Sequence, residues 1–143
     1  MRVADILQGK GADVLTIRPD ATVGELLAIL AEHNVGALVV TSDGTSVDGI
    51  VSERDVVRCM HTQVDAVDQP VSTIMTADVA SSAPEASVDQ LMRLMTERRI
   101  RHVPVIVDGR LSGIVSIGDV VKSRIGELEL EREQLSSYIS GSR

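Results

Sequence analysis

The sequence predicts a mixed α/β fold in which one strand–helix–strand–strand–helix unit occurs twice. Three observations support this prediction. Residues 14–56 align with residues 79–120 almost without gaps, at an offset of 65 that falls to 64 near the end. Each copy contains a helical pattern of apolar residues spaced three and four apart. Each copy then has two apolar runs separated by an Asp-Gly turn signal, which is typical of an antiparallel hairpin.

Each unit begins with a short extended segment and continues into a capped helix. The extended segments are residues 14–17 and 79–82, and a proline follows each of them two residues later. Each helix begins at a capping box, in which a hydroxyl side chain is followed three positions later by Glu or Gln. The predicted boxes are Thr22 with Glu25 and Ser87 with Gln90. The helices are expected to bury Val23, Leu26, Leu27 and Leu30 in the first unit and Val88, Leu91, Leu94 and Met95 in the second.

The strands that follow are predicted from continuous apolar runs at residues 37–40 (ALVV) and 103–107 (VPVIV). Such runs are typical of strands that are covered on both faces. Hairpin turns are predicted at residues 43–44 and 108–109, which are both Asp-Gly. In the second unit the next apolar run follows this turn closely, so its two strands are expected to be adjacent and antiparallel.

Both units close with similar segments, residues 49–55 (GIVSERD) and 113–119 (GIVSIGD). A lead-in is also repeated, as residues 3–7 (VADIL) and 71–75 (VSTIM). Residues 61–70 show no periodicity and are predicted to link the halves. The predicted division of the chain is residues 1–62 and 71–125 for the two domains, 63–70 for the linker and 126–143 for a C-terminal extension.

The tail is predicted to form one long helix from about residue 119 to residue 139. Its apolar residues recur at spacings of about three and four, and Arg132 interrupts them: Val121, Ile125, Leu128, Leu135 and Ile139. Two interpretations remain open. The helix either packs on its own domain or forms a dimer contact with heptad character.

Composition excludes several functions. The chain has one aromatic residue, Tyr138, and a formal charge of −7, which argues against nucleic-acid binding because phosphate backbones require basic surfaces and stacking requires aromatic rings. The single cysteine, Cys59, excludes an intramolecular disulfide and a cysteine-cluster metal site. No apolar run approaches a membrane span, and residues 1–5 (MRVAD) do not resemble a signal peptide. A cytoplasmic protein without a membrane partner is expected.

The candidate binding residues are two Ser-x-x-Asp motifs, Ser52 with Asp55 and Ser116 with Asp119. One interpretation is purely structural, with Ser as a helix cap and Asp in the first helical turn. The motif nevertheless recurs at the same place in both units, each time after Gly-Ile-Val. A carboxylate at a strand end can accept both hydroxyls of a ribose, and the free amides of the helix N-terminus favour a sugar or phosphate beside it.

The paired units resemble the cystathionine-β-synthase (CBS) domain, and two in tandem resemble a Bateman module. The resemblance is carried by residues 49–55 and 113–119, by residues 101–105 (RHVPV), and by the lead-ins, and it covers about residues 1–125. It implies two β-α-β-β-α units packed through their sheets with pseudo-two-fold symmetry, and two clefts between them. It also implies a homodimer in which four units form a disc.

In this family the clefts bind adenine-containing ligands such as AMP, ATP or NAD. The resemblance implies that the Asp of each motif holds ribose, that Ser or Thr lies near sugar and phosphate, and that aliphatic residues enclose the base. The nucleotide-binding residues expected here are Thr16, Ile50, Ser52, Arg54, Asp55, Arg58, Arg101, His102, Pro104, Ile114, Ser116 and Asp119.

The two copies differ in their cations. We expect Arg54, Arg58, Arg101 and His102 to converge on the phosphates of one cleft, because Arg provides the bidentate geometry that phosphates prefer. The other cleft, poorer in cations, would bind more weakly or hold an uncharged part of a ligand. Arg98 and Arg99 are interpreted instead as cations at a helix C-terminus.

The expected function is that of a regulatory, non-catalytic module that binds an adenine nucleotide and signals by a conformational shift. No catalytic residue, metal site or required cofactor is predicted, and an unidentified protein target is possible. Two alternatives stay open. One is a ligand-free interaction module that acts through its dimer surface and C-terminal helix. The other is an enzyme, for which only His102 offers a general base.

Overall fold

A computed structural model of the chain describes residues 1–11 and 13–141. It confirms a mixed α/β fold with two small sheets. The elements in chain order are α1 (Val3–Lys10), β1 (Thr16–Ile17), α2 (Val23–His33), β2 (Ala37–Val40), β3 (Gly49–Ser52), α3 (Glu53–Thr62), α4 (Val88–Arg98), β4 (His102–Val107), β5 (Arg110–Ser116) and α5 (Ile117–Gly141). Single turns of 3₁₀ helix, Ala66–Asp68 and Val71–Thr73, lie between α3 and α4.

The two sheets repeat one topology, but the second is smaller. In the first sheet β1 is parallel to β2, and β2 is antiparallel to β3. In the second sheet β4 and β5 are antiparallel, and the strand predicted at residues 79–82 is reduced to a single parallel bridge between Ser82 and Val105. The prediction of a full strand there is wrong. Pro104 stands where Val39 stands in the first unit and has no N–H, so the parallel pairing cannot extend.

The two hairpins are closed differently. Between β4 and β5 the turn is tight, with Asp108 and Gly109 at φ 52° and 78°, as the Asp-Gly signal predicts. Between β2 and β3 the loop is wider and is organised by Asp43. Its Oδ1 accepts the amide N–H groups of Thr45 (2.9 Å) and Ser46 (2.7 Å), and these hydrogen bonds hold the pKa of the Asp43 carboxyl well below its usual range.

The predicted capping boxes of α2 and α4 are confirmed. Thr22 Oγ1 accepts the Glu25 amide N–H at 3.2 Å, and Ser87 Oγ accepts the Gln90 amide N–H at 3.1 Å. Six of the eight predicted positions on the helix faces are buried, and Leu94 is half-buried. Leu27 is exposed, because the apolar face of α2 is narrower than the sequence pattern indicates.

Each lead-in packs into the core of the unit that it does not precede in the sequence. The first lead-in packs into the second unit, and the second lead-in packs into the first. Val3 and Ile6 of α1 belong to the apolar cluster of the second unit, where the Val3 amide N–H donates to the carbonyl of Ala86 at 2.9 Å. Val71 belongs to the cluster of the first unit, where its amide N–H donates to the carbonyl of Ala21 at 2.7 Å. The predicted division of the chain at residues 63–70 stays a prediction, because each apolar cluster includes residues from both sides of this segment.

The segment predicted as a linker is partly ordered into turns, and Ala66 within it is buried. The predicted tail helix is present as α5. Val120 is buried and Glu127 is half-buried, but from residue 128 to residue 140 the side chains are exposed, with Leu128 at 55% and Leu135 at 63%. Packing on its own domain therefore accounts for the first part of α5 alone. Within residues 1–11 and 13–141, no helix is long and apolar enough to cross a membrane.

Two strand glycines are covered by the lead-ins, and they make a matched pair for a stability test. A Cβ at Gly49 would lie 2.7 Å from Sδ of Met75 and 2.8 Å from the backbone carbonyl oxygen of Thr76. A Cβ at Gly113 would meet only the flexible side chain of Leu7, also at 2.7 Å.

We expect Gly49→Ala to lower the free energy of unfolding by about 1–3 kcal/mol, because relief of the clash requires the backbone to move. Gly113→Ala is expected to lower it less, because a leucine side chain can rotate away. Urea denaturation of both variants beside the wild type checks this order. A larger loss for Gly113→Ala would contradict it.

Candidate functional site

A cavity of about 600 Å³ lies between the two units. Its volume falls within the range of roughly 300–1,000 Å³ that is usual for small-molecule sites. The first unit contributes the ends of β2 and β3 and the first turns of α3, and the second contributes the segment before β4. Ile50, Val79 and Ala80 form an aliphatic part of the lining, and Glu53, Asp55 and Asp78 contribute carboxylates.

Asp55 both caps α3 and faces the cavity. Its Oδ2 accepts the Ser52 amide N–H at 2.8 Å and the Ser52 hydroxyl at 3.1 Å. Among the described residues, no hydrogen bond reaches its Oδ1. Oδ2 of Asp55 therefore has the structural role of capping α3. Oδ1 is available to a ligand in the cavity.

Five arginines line the same cavity: Arg54, Arg58, Arg98, Arg99 and Arg101. Within residues 1–11 and 13–141, none of the five forms an ion pair with a carboxylate within 4.0 Å. Against the three lining carboxylates, the five guanidinium groups leave an excess of two positive charges. This local excess contrasts with the formal charge of −7 of the whole chain and favours anions in the cavity over cations.

Arg98 and Arg99 reach the cavity because of how α4 ends. Arg98 is the last residue of the helix, and Arg99 is its C-cap in the left-handed conformation, at φ 54° and ψ 45°. This turn reverses the chain direction before β4 and places both side chains on the cavity wall. They are thus cations at a helix C-terminus, as the sequence predicts, and also cavity residues, which the sequence analysis missed.

His102 begins β4 at the inner side of the cavity, directly after Arg101. Its imidazole lies close to Gly36, where a Cβ would be 3.3 Å from Cε1 of His102. Burial lowers the pKa of His102, and Lys10 and Arg101 lower it further, against the opposing effect of Glu53 and Asp119. Because its ordinary pKa already lies below 7, the imidazole is neutral at pH 7.

This lowered pKa predicts how stability depends on pH. The unfolded chain binds a proton on His102 at a higher pH than the folded protein does, so the folded state loses stability as pH falls below about 6.5. His102→Gln is expected to remove this part of the pH dependence of the free energy of unfolding. The free energy of unfolding of both proteins, measured in urea at pH 7.5 and pH 5.0, checks the prediction. An equal difference between the two proteins at both pH values would contradict it.

The second Ser-x-x-Asp motif has a different environment. Asp119 Oδ2 accepts the Ser116 amide N–H at 2.8 Å, as in the first unit. The same oxygen also accepts from Nζ of Lys10 at 2.7 Å, and Nζ donates in addition to the carbonyl of Ile114 at 2.9 Å. Burial raises the pKa of Asp119, but the hydrogen bonds from Lys10 and Ser116 outweigh it and hold the pKa below its ordinary value.

The structure thus divides the predicted nucleotide-binding residues into two groups. Those that border the cavity are Ile50, Ser52, Arg54, Asp55, Arg58, Arg101 and His102. Those that do not border it are Thr16 in β1, Pro104 buried in β4, and Ile114, Ser116 and Asp119 at the second motif. The four residues expected to converge on phosphates, Arg54, Arg58, Arg101 and His102, lie around one cavity.

Two further charged residues beside the motifs, Lys10 and Asp78, were not among the predicted site residues. The lead-in repeat offers a signal for both, because Leu7 and Met75 are counterparts and these two residues each lie three positions further on. Within residues 1–11 and 13–141, no group of three or more His, Cys, Asp or Glu side chains is placed to hold a metal ion.

Comparison with known proteins identifies the repeat. The model of the CBS domain family matches residues 3–62 and again residues 71–126. A relative from Arabidopsis thaliana, "CBS domain-containing protein CBSX3, mitochondrial", is 38% identical over 148 residues, which cover 97% of this chain and 72% of that protein.

Solved structures agree with the family match. The CBS-domain containing protein ATU1752 from Agrobacterium tumefaciens is 47% identical and superposes with a TM-score of 0.83, covering 86% of this chain and 92% of that one. The CBS domain pair of protein MJ0100, solved in complex with 5′-methylthioadenosine and S-adenosyl-L-methionine, is 25% identical, with a TM-score of 0.79. That superposition covers 89% of this chain and 98% of the other.

Proposed function

The chain belongs to the CBS domain family, of which it carries two copies in tandem, and on this premise we propose that it is a regulatory module that binds an adenine nucleotide. The ligand is AMP, ADP, ATP or NAD, and its site is the cavity between the two units. One observation carries the proposal: Asp55 and five arginines line the same cavity, and in the part of the chain that the structure describes no carboxylate pairs with any of the five.

Each part of the nucleotide has a matching group on the cavity wall. Oδ1 of Asp55 accepts the ribose hydroxyls, as the acidic residue of dinucleotide-binding folds does. The arginines and the N-terminus of α3 hold the phosphates. Ile50, Val79 and Ala80 provide apolar contact for the base. The adenosine compounds bound by the related pair of MJ0100 support the nucleoside part of this assignment.

The charge of the cavity favours a phosphorylated ligand over the compounds found in MJ0100. 5′-Methylthioadenosine has no charge, and S-adenosyl-L-methionine carries a sulfonium cation. Neither compensates an excess of two positive charges, whereas the phosphates of AMP, ADP, ATP or NAD do. This distinction rests on Arg98 and Arg99 as well as on the three predicted arginines.

Signalling follows from the position of the cavity between the units. A ligand that contacts α3 of the first unit and Arg101 of the second is sensitive to their relative arrangement. It shifts the balance between two arrangements only by the difference in its affinity for them. This role is regulatory and non-catalytic, and it requires no cofactor beyond the nucleotide.

The proposal includes a homodimer of CBS pairs in the cytoplasm. Apolar side chains are exposed on the two helices that follow the Ser-x-x-Asp motifs: Val57 and Met60 on α3, and Val121 and Leu128 on α5. Helix faces of this kind are usually covered in an assembly. The continuation of α5 beyond Glu127 offers a route by which the change reaches a protein target.

The exposed part of α5 also favours a second candidate function, that of a ligand-free interaction module. In that case the chain acts through its dimer surface and its C-terminal helix, and the cavity stays empty. Tight binding to a partner together with negligible nucleotide binding would favour this alternative.

Calorimetric titration of the protein with AMP, ADP, ATP and NAD tests the proposed function. We expect saturable binding of at least one of the four with one nucleotide per chain. The absence of binding at millimolar ligand, where an affinity of only about 4 kcal/mol would suffice, would contradict the proposal.

A further inference from the structure

Lys10 lies at the second Ser-x-x-Asp motif, whose surroundings correspond by the repeat to the cavity at the first motif; we call these two places the second and the first cleft. It is the last residue of α1, and its ammonium group lies 2.7 Å from Oδ2 of Asp119 and 2.9 Å from the carbonyl oxygen of Ile114. The side chains of the pair are 31% and 23% exposed for Lys10 and Asp119. The ammonium group therefore bridges the end of β5 and the first turn of α5.

The position of Lys10 is fixed by the core. Val3 and Ile6 of α1 are buried in the cluster of the second unit, and Leu7 lies against Gly113 of β5. Helix α1 is thus held on β5 by apolar packing. Lys10 is carried in its last turn, where a cation is favoured by the free carbonyl groups of the helix.

The first cleft has the opposite charge at the corresponding place. Met75 covers Gly49 as Leu7 covers Gly113, and the residue three positions after Met75 is Asp78. Asp78 borders the cavity that Asp55 also borders. The first motif therefore faces a carboxylate and an open cavity, whereas the second faces an ammonium group in direct contact.

We propose that Lys10 determines how many nucleotides bind, because it pairs with the carboxylate that would hold ribose in the second cleft. The inference rests on the proposed function, in which the Asp of the motif accepts ribose. A ribose offers neutral hydroxyls, which are weaker partners for a half-buried carboxylate than an ammonium group. A ribose on the remaining oxygen, Oδ1, meets a carboxylate whose charge Lys10 already compensates, whereas the carboxylate of Asp55 has no ion-pair partner among the described residues. One nucleotide therefore binds per chain, at Asp55.

Adenosine is the probe that tests this inference, because it has the ribose and base but no phosphate that Lys10 could attract. The first cleft is disabled by Asp55→Asn in every protein compared. The Asp55→Asn variant is expected to bind adenosine negligibly. Asp55→Asn/Lys10→Met is expected to bind it at least about tenfold more tightly, at one molecule per chain.

NMR locates the new site. In Asp55→Asn/Lys10→Met, the amide resonances of Ser116 and Asp119 are expected to shift on addition of adenosine. Adding Asp119→Asn to this variant is expected to abolish the binding. Lys10→Arg in the Asp55→Asn background keeps the positive charge beside Asp119. This variant is expected to bind adenosine as weakly as Asp55→Asn alone.

Arg110→Met is the matched control, because it removes one cation at the turn between β4 and β5, at the opposite end of that hairpin from Ser116. It is expected to leave adenosine binding unchanged. Circular dichroism and thermal unfolding verify that each variant is folded. Lys10→Gln repeats the test with a polar side chain if Lys10→Met fails to fold.

Two results would overturn the inference. One is that neither Lys10→Met nor Lys10→Gln increases adenosine binding in the Asp55→Asn background. The other is that ATP binds at Asp119 in Asp55→Asn and loses affinity when Lys10 is replaced, because Lys10 is then a phosphate ligand. Failure of the proposed function is a different result, namely that the wild type binds no nucleotide and Asp55 has no effect.

Discussion

Replacing Asp55 with Asn is expected to weaken the binding of AMP, ATP and NAD by about 100-fold, which corresponds to roughly 2.7 kcal/mol. The three ligands share a ribose, and the variant loses the charge that strengthens the bonds to its hydroxyls. Asn retains an oxygen that can accept the Ser52 amide N–H, so the cap of α3 is kept. Isothermal titration calorimetry measures the affinities.

Asp119→Asn is the internal control, since it makes the same change in the other copy of the motif. Its carboxylate is already engaged with Lys10, so the change is expected to alter nucleotide affinity by less than about threefold. Equal losses for the two variants would contradict the assignment of the nucleotide to the first cleft. A negligible loss for Asp55→Asn would contradict the role of this residue altogether.

The arginines provide the second large effect. Arg58→Ala/Arg101→Ala is expected to weaken ATP binding by roughly 100–1,000-fold, because each charge-assisted contact to a phosphate contributes about 1.5–3 kcal/mol and neighbouring contacts are not fully additive. The affinity for adenosine is expected to stay within about twofold of the wild type. Titration of both proteins with ATP and with adenosine separates the two effects.

Arg18→Ala/Arg110→Ala removes the same number of cations outside the cavity. Arg18 pairs with Asp20 at 3.3 Å on the surface, and Arg110 lies at the turn between β4 and β5. This control is expected to bind ATP like the wild type. If this control loses as much ATP affinity as the cavity variant, the change in net charge explains the effect, and the assignment of the phosphates to the cavity is wrong. If Arg101→Ala alone changes nothing, Arg101 does not belong to the site.

Much of the fold could be predicted because local chemistry determines it. The capping boxes at Thr22 and Ser87 and the tight turn at Asp108 and Gly109 depend on contacts within four residues, and the sequence shows these directly. The repeat then places the same elements in both halves. The strand at residues 79–82 could not be predicted correctly, because its loss depends on Pro104, a partner more than twenty residues away.

The packing of each lead-in into the core of the other unit could not be predicted for a related reason. The repeat shows that the lead-ins correspond to each other, but it does not show which unit each one joins. Contacts such as that from the Val3 amide N–H to the carbonyl of Ala86 join residues far apart in the chain. Only the folded structure reveals that α1 completes the second core.

The same limit applies to the site. The arginines at positions 54, 58 and 101 could be chosen because they lie within or beside the motifs that carry the resemblance. Arg99 could not, because its place depends on a left-handed C-cap that the sequence does not mark with Gly or Asn. The repeat marks the position of Lys10 but not its pairing, because its partner Asp119 is more than a hundred residues away. The sequence therefore shows that the two clefts differ in their arginines, but it does not show that Lys10 pairs with Asp119 in the second cleft.

The most direct test of the account is a crystal structure of the protein grown with ATP. We expect one ATP per chain, with its ribose hydroxyls on Oδ1 of Asp55, its phosphates among the arginines of the cavity, and Lys10 still paired with Asp119. A nucleotide with its ribose on Asp119, or a cavity without nucleotide at millimolar ATP, would contradict the account.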